Sequence, residues 1–143
     1  MNIKTYCVCT ISVLLSVLSF SSCSKEPADV VEDVVKSLYA GEDVMDYVIT
    51  PTSFSMRSEI EDYLLRKERR LADDTLEEFK ILSVEEEEDE AKVKYAVTVT
   101  EYDYEDKEHK NPKQDVDEDR MYLIKKDGKW YIDLSSHIDG YGE

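Results

Sequence analysis

A chain of 143 residues has room for one domain of ordinary size and one hydrophobic core. Its 34 acidic against 18 basic residues give a formal charge of −16, which excludes nucleic acid as a partner because a phosphate backbone needs a basic footprint, and disfavours electrostatic adhesion to anionic lipid. Cys7, Cys9 and Cys23 are the only cysteines, so beyond Cys23 there is neither a disulfide framework nor a thiolate metal site.

Residues 1–22 differ from all that follows. A short start ending in Lys4 leads into the uncharged apolar run Tyr6 to Phe20, and Ser21 and Ser22 then precede Cys23. A basic start, a short apolar core and a small-residue exit describe a removable secretory signal peptide, and the run is shorter than the ~20 residues of a spanning helix. A retained transmembrane anchor and a plain secreted protein cleaved near the same serines are the alternatives.

Phe20-Ser21-Ser22-Cys23 resembles a bacterial lipobox, with Phe20 where Leu is usual. The resemblance implies cleavage between Ser22 and Cys23, a thioether-linked diacylglycerol on Cys23 and acylation of its new amine. A cysteine thiolate is the nucleophile suited to capturing a lipid, and several acyl chains hold durably where one binds reversibly. The implied protein is a lipoprotein of a Gram-negative cell envelope, most simply in the outer membrane, facing the periplasm or the surface. Residues 23–26 form the lipidated cysteine and a short tether, 27–135 a single domain, and 136–143 a flexible tail.

Pro27 suits the first turn of a helix. Val30, Val31, Val34, Val35, Leu38 and Tyr39 then form one apolar stripe, and Gly41 closes it in the left-handed conformation. A second helical piece is expected over 42–48, with Val44, Tyr47 and Val48 inward, until Thr50-Pro51 breaks it. Thr52 or Ser53 caps a third helix with Met56, Ile60, Tyr63, Leu64 and Leu71 inward. Arg66, Lys67, Arg69 and Arg70 at its far end are the only basic cluster: a solvated face complementing the helix dipole, or a docking patch for an acidic partner.

After Asp73 the pattern alternates. Phe79, Ile81 and Ser83 against Lys80, Leu82 and Val84 predict a strand buried in part on both faces, and Ala91, Val93, Tyr95, Val97 and Val99 predict a half-buried one. The six acids from Glu85 to Glu90 between them suit a solvated hairpin tip. Residues 105–117 read as a charged loop around Asn111-Pro112. Met121, Leu123 and Lys125 mark a third strand, Asp127-Gly128 a tight turn, and Trp130, Ile132 and Leu134 a fourth. Helices followed by consecutive strands predict an α+β domain, the N-terminal helices packed on a curved antiparallel four-stranded sheet.

The stretches "ADVVEDVVKSLYAGEDVMDYV" and "MYLIKKDGKWYIDL" in that order resemble the nuclear transport factor 2-like cone, and in particular small bacterial lipoproteins of unknown function built on it. A cystatin-like fold is the alternative. The cone is similar to enzymes such as ketosteroid isomerase and scytalone dehydratase, which place an acid or base in the cup.

No catalytic constellation assembles from the sequence. His109 lies in the charged loop and His137 beyond the last strand, and Ser135, Ser136 and His137 are sequence neighbours, which is not how a nucleophile meets its base. Asp115, Asp117 and Asp119 are spaced like the opening of a calcium loop, but Arg120 stands where Gly is required and Lys126 where a bidentate Glu belongs. A looser Ca²⁺ site with Glu118 is the remaining metal reading, against a solvated acidic loop. No metal and no cofactor is expected. Tyr95, Tyr102, Tyr104, Tyr122 and Trp130 are the candidate ligand or interface residues, Tyr102 and Tyr104 sharing a face with Thr98 and Thr100; the alternative is strand residues chosen for β-propensity.

The expected function is a membrane-anchored, non-catalytic module, monomeric or weakly dimeric, that binds a small ligand or another envelope protein. An enzyme acting on a small apolar substrate in the cup, and a structural or inhibitory surface protein, are the alternatives. A deep cavity holding a buried acid or histidine favours the enzyme, whereas a cup filled by Phe79, Val97, Leu123 and Trp130 opposes it.

Overall fold

The computed structural model describes residues 24–50, 53–102 and 111–135. The leader, Ser22, Cys23, Thr52, Tyr104, His109 and the tail with Ser136 and His137 lie outside them.

Helix α1 (Pro27–Tyr39) begins with Pro27 in its first turn, and the Glu26 N–H donates to Asp29 Oδ2 at 3.3 Å. Its stripe is buried as the 3.6-residue period requires: Val30, Val31, Val34, Val35 and Leu38. Gly41, at φ +68°, closes the helix in the left-handed region. The expected helix over 42–48 shrinks to one 3₁₀ turn, Met45–Tyr47, because the chain turns extended at Val48 and pairs alongside the last strand. Val44 and Val48 are nevertheless buried. Helix α2 (Phe54–Leu71) starts after Ser53, whose hydroxyl meets Ser55 rather than capping the helix, and buries Ile60 and Leu71.

Four strands, β1 (Thr75–Glu87), β2 (Glu90–Glu101), β3 (Lys113–Lys126) and β4 (Lys129–Asp133), form an antiparallel meander in chain order. Two helices thus pack on a four-stranded open sheet, as expected from the order of the elements. Ala91, Val93, Tyr95, Val97 and Val99 of β2 form the buried inner face, joined by Met121 and Leu123 of β3 and Trp130 and Ile132 of β4. In β1, irregularities between Leu76 and Glu78 and between Ile81 and Ser83 insert one residue each. They place Leu76, Phe79, Ile81 and Val84 opposite Val99, Val97, Tyr95 and Val93 despite their uneven spacing, and bend the strand. The mixed alternation of β1 therefore reflects bulges, not burial on two faces.

The acid run is exposed throughout and forms the end of the β1–β2 hairpin as expected, with Glu85–Glu87 in β1, Glu90 in β2, and Glu88 and Asp89 turning the chain. Extended neighbours on a sheet point to opposite faces, which separates the charges, and Lys92 Nζ lies 3.3 Å from Glu85. The charged segment 105–117 is not all loop, since β3 begins at Lys113 and pairs with β2 without interruption as far as Ile124. The Asp127-Gly128 turn forms as expected, with φ +51° and +77°. At the β4 edge, the Ile49 N–H donates to the Ile132 carbonyl at 3.0 Å and covers that strand.

Leu123 is 1% exposed at the centre of the sheet and Val116 is 61% exposed on its outer side. Leu123→Ala is expected to cost ~2–5 kcal/mol of unfolding free energy in urea titration, and Val116→Ala under about 0.5 kcal/mol.

Candidate functional site

The inner face continues along β3 past the helices' cover. Because the pairing is unbroken, Asp119, Asp117 and Asp115 lie opposite Tyr95, Val97 and Val99, on the same face as Met121 and Leu123. All three aspartates are exposed while their β2 partners are buried. The result is an acidic ledge at the open end of the cup.

The ledge meets α1 and α2 in a small cleft of about 80 Å³, lined by Leu38, Tyr39, Lys67, Arg70, Tyr95, Asp117 and Asp119 among others. The Tyr95 hydroxyl donates to Asp119 Oδ2 at 3.4 Å, and Lys67 Nζ lies 3.9 Å from the same oxygen. The Arg120 N–H donates to the other oxygen, Oδ1, at 2.7 Å. Asp119 thus holds a tyrosine hydroxyl and a lysine from two different elements.

Electrostatics follow from this half-buried setting. Burial pushes the Tyr95 hydroxyl far above its ordinary 10.0, with the Asp119 charge and hydrogen bond acting the same way. Tyr63 is raised by burial and then by Asp119; Tyr39 by burial and then by Asp74 and Asp117. Burial lowers Lys67 and Arg70 adds to this, while Asp119 opposes it. Asp74, at the same end, is raised by burial and by Asp73. Lys67 is the one member of the basic cluster that is largely covered, its side chain 19% exposed in the cleft; Arg70 also lines the cleft but is exposed, as are Arg66 and Arg69.

The aromatic candidates do not form one surface. Tyr95 faces inward and stacks on Phe79, with ring centroids 5.6 Å apart. Tyr122 pairs with Lys92 on the outer face, Tyr102 follows the end of β2, and Trp130 is buried at the opposite end of the cup beneath Lys125, whose Nζ lies 5.0 Å from the ring centroid. The loose Ca²⁺ set is also rearranged, because Glu118 alternates to the outer face opposite Ala96. Glu101, Asp115 and Asp117 instead place three carboxylate oxygens within 4.8 Å of one another. The floor of the cup is filled: Val97, Leu123 and Trp130 are buried and Phe79 packs against the core.

Sequence reasoning missed Tyr39, Tyr63 and Lys67 as members of a site, having read them as helix stripe and helix face. The signal for the ledge was the two-residue period of Asp115, Asp117 and Asp119, which runs straight into Met121 and Leu123 and so marks a strand.

No family model and no curated protein matches the chain. Among solved structures, a candidate nuclear transport factor 2-like transpeptidase from Campylobacter jejuni superposes with a TM-score of 0.60 at 21% identity, covering 77% of this chain and 99% of that one. A candidate ketosteroid isomerase from Shewanella frigidimarina gives 0.53 at 14% identity, over 73% and 87%. A SEC-C motif-containing protein from Rhodopseudomonas palustris gives 0.52 at 14%, over 75% and 74%. At these identities the likeness shows the fold alone, which is nuclear transport factor 2-like.

A tyrosine whose folded-state pKa is raised contributes stability that is present below 10.0 and lost as pH rises above it, since the unfolded chain then releases the proton first. Unfolding free energy is therefore expected to fall above that pH, and Tyr95→Phe to lessen the fall by up to about 1.4 kcal/mol per pH unit. Lys67 is lowered, so its penalty is present at neutral pH and disappears as pH rises toward 10.5. Lys67→Met is expected to leave neutral-pH stability unchanged or raised, measured by the same titration.

Proposed function

We propose that this protein is a lipoprotein of a Gram-negative envelope, held in the membrane by lipid on Cys23, whose cone is a non-catalytic binding module that recognises cationic groups at its acidic mouth. The observation that carries the binding assignment is the placement of Asp115, Asp117 and Asp119 on the inner face beyond the helices. Asp115 and Asp117 stand exposed there, next to Asp119 with its Tyr95 and Lys67 partners, beside the tyrosines of a half-buried cleft. A carboxylate row with apolar and aromatic neighbours suits a basic side chain or amine, because the ring and stem surfaces cover its methylenes while the acids meet its charge.

An enzyme acting on a small apolar substrate is the weaker reading. The floor of the cup is filled by side chains and the cleft at its mouth, about 80 Å³, is well below the ~300 Å³ of an ordinary small-molecule site; larger depressions of about 300 to 440 Å³ lie elsewhere on the domain, and no acidic side chain is buried among the described residues. The lipid anchor rests on the sequence: the apolar leader, Ser21-Ser22-Cys23, and the absence of cysteine beyond it. Among the described residues no helix is long and apolar enough to cross a membrane.

Two measurements test the proposal. Mass spectrometry of the protein from its host is expected to find an N-terminus at Cys23 carrying diacylglyceryl and acyl mass, and Cys23→Ala to abolish both; a peptide retaining residues 1–22 without lipid contradicts the anchor. In solution NMR, trilysine peptide is expected to shift the resonances of Asp115, Asp117 and Tyr95, and Asp115→Asn with Asp117→Asn to weaken it roughly tenfold, the equivalent of about 1.4 kcal/mol. Equal shifts from fully acetylated trilysine, or no effect of the substitutions, would refute recognition of positive charge.

A further inference from the structure

The direction of α1 fixes which end of the domain meets the membrane. At the helix's beginning, Ser24, Lys25, Val30, Tyr47, Lys129 and Trp130 help to line one depression of about 300 Å³, beside the β3–β4 turn. At its other end, Leu38 and Tyr39 line the cleft with Tyr95, Asp117 and Asp119. The thirteen residues of α1 span about 20 Å between the two.

The tether gives little slack. Cys23 is bonded to Ser24, so their Cα atoms are ~3.8 Å apart whatever the conformation. Lys25 is ion-paired with Asp33 and sits 5.5 Å from the centre of the Tyr47 ring, and Glu26 and Pro27 are already part of the helix start. A lipid on Cys23 enters the bilayer within about one residue of the depression.

The chemistry of that end is suited to the contact. Residues 125–129, Lys-Lys-Asp-Gly-Lys, hold three lysines and one acid in a chain of −16 overall, with Tyr47, Trp130 and Tyr131 beside them. Lysines facing phosphates, with amphipathic rings among them, are the usual composition of a headgroup contact. The β1–β2 turn lies at the same end of the sheet, where the Lys125 N–H donates to the Asp89 carbonyl at 2.7 Å. Its acids are repelled by phosphate, so the domain leans onto the β3–β4 side.

We infer that the anchored domain stands on the phospholipid headgroup layer through its β3–β4 turn, with Lys126 and Lys129 against the phosphates, and presents the acidic mouth about one helix length away, toward the aqueous compartment. The inference rests on the lipid-anchor reading for its physiological meaning. It assigns the mouth to soluble or protein partners rather than to lipid.

The test couples the Cys23 thiol of the chain from Cys23 onward, which contains every described residue, to maleimide-phosphatidylethanolamine in vesicles of phosphatidylethanolamine and phosphatidylglycerol. Chemical coupling keeps the test independent of lipidation in the cell, which the mass measurement decides. Acylation by a water-soluble N-hydroxysuccinimide ester is then followed lysine by lysine. Lys126 and Lys129 are expected to react several-fold more slowly on vesicles than free in solution, with Lys80 and Lys113 unchanged. Equal rates at all four, or slowing at Lys113 instead, would overturn the orientation.

Discussion

The contact between the valine stripe of α1 and the inner face of β2 is the constraint on which the rest depends. Val30, Val31, Val34, Val35 and Leu38 supply one buried surface, and Ala91, Val93, Tyr95, Val97 and Val99 the other. Each buried aliphatic side chain contributes about 1.5–3 kcal/mol relative to exposure, so this seam outweighs any ion pair on the surface. It settles which face of β2 is inner, and through unbroken pairing it settles the faces of β3 as well. The bulges of β1 are fitted to the same seam, since they bring Leu76, Phe79 and Ile81 to it.

The mouth is a consequence of a mismatch in length. β3 has fourteen residues, and the buried part of its inner face is limited to Met121 and Leu123. Where the apolar cover stops, the sequence changes from Leu and Met to Asp at the same inward positions. Asp119 stands at the boundary and is the one ledge residue tied to both helix and sheet, through Lys67 and Tyr95. Lys67, 19% exposed, gives up hydration to make this pair, and that desolvation offsets what the pair contributes to stability.

Much of the architecture was legible because period and burial agree. The stripe of α1, the alternation of β2, Gly41 and Asp127-Gly128 each carry a local physical reason, and each is where the sequence places it. The first half of β3 was harder to read: Lys113–Arg120 is exposed throughout, so no apolar alternation marks it, and the two-residue period of Asp115, Asp117 and Asp119, its one signal, also fits a loop of carboxylates until pairing with β2 makes it a strand. The acids of 85–90 were legible as a solvated hairpin end, but not how far the two strands run into them, since that depends on the neighbouring strand that holds them extended. The site depends on tertiary proximity between 67, 95 and 119, which no local pattern encodes. The aromatic candidates were chosen for residue type, and the sheet's alternation sends them to different faces.

The account turns on the register of β3. A slip of one residue would reverse its faces, carrying Val116, Glu118 and Arg120 inward and the three aspartates out. The direct measurement is the pattern of cross-strand nuclear Overhauser effects between β2 and β3 in the folded chain. Contacts pairing Tyr95 with Asp119 and Val97 with Asp117 are the result the account predicts. Contacts pairing Tyr95 with Glu118 or Arg120 would contradict it, and with it the acidic mouth.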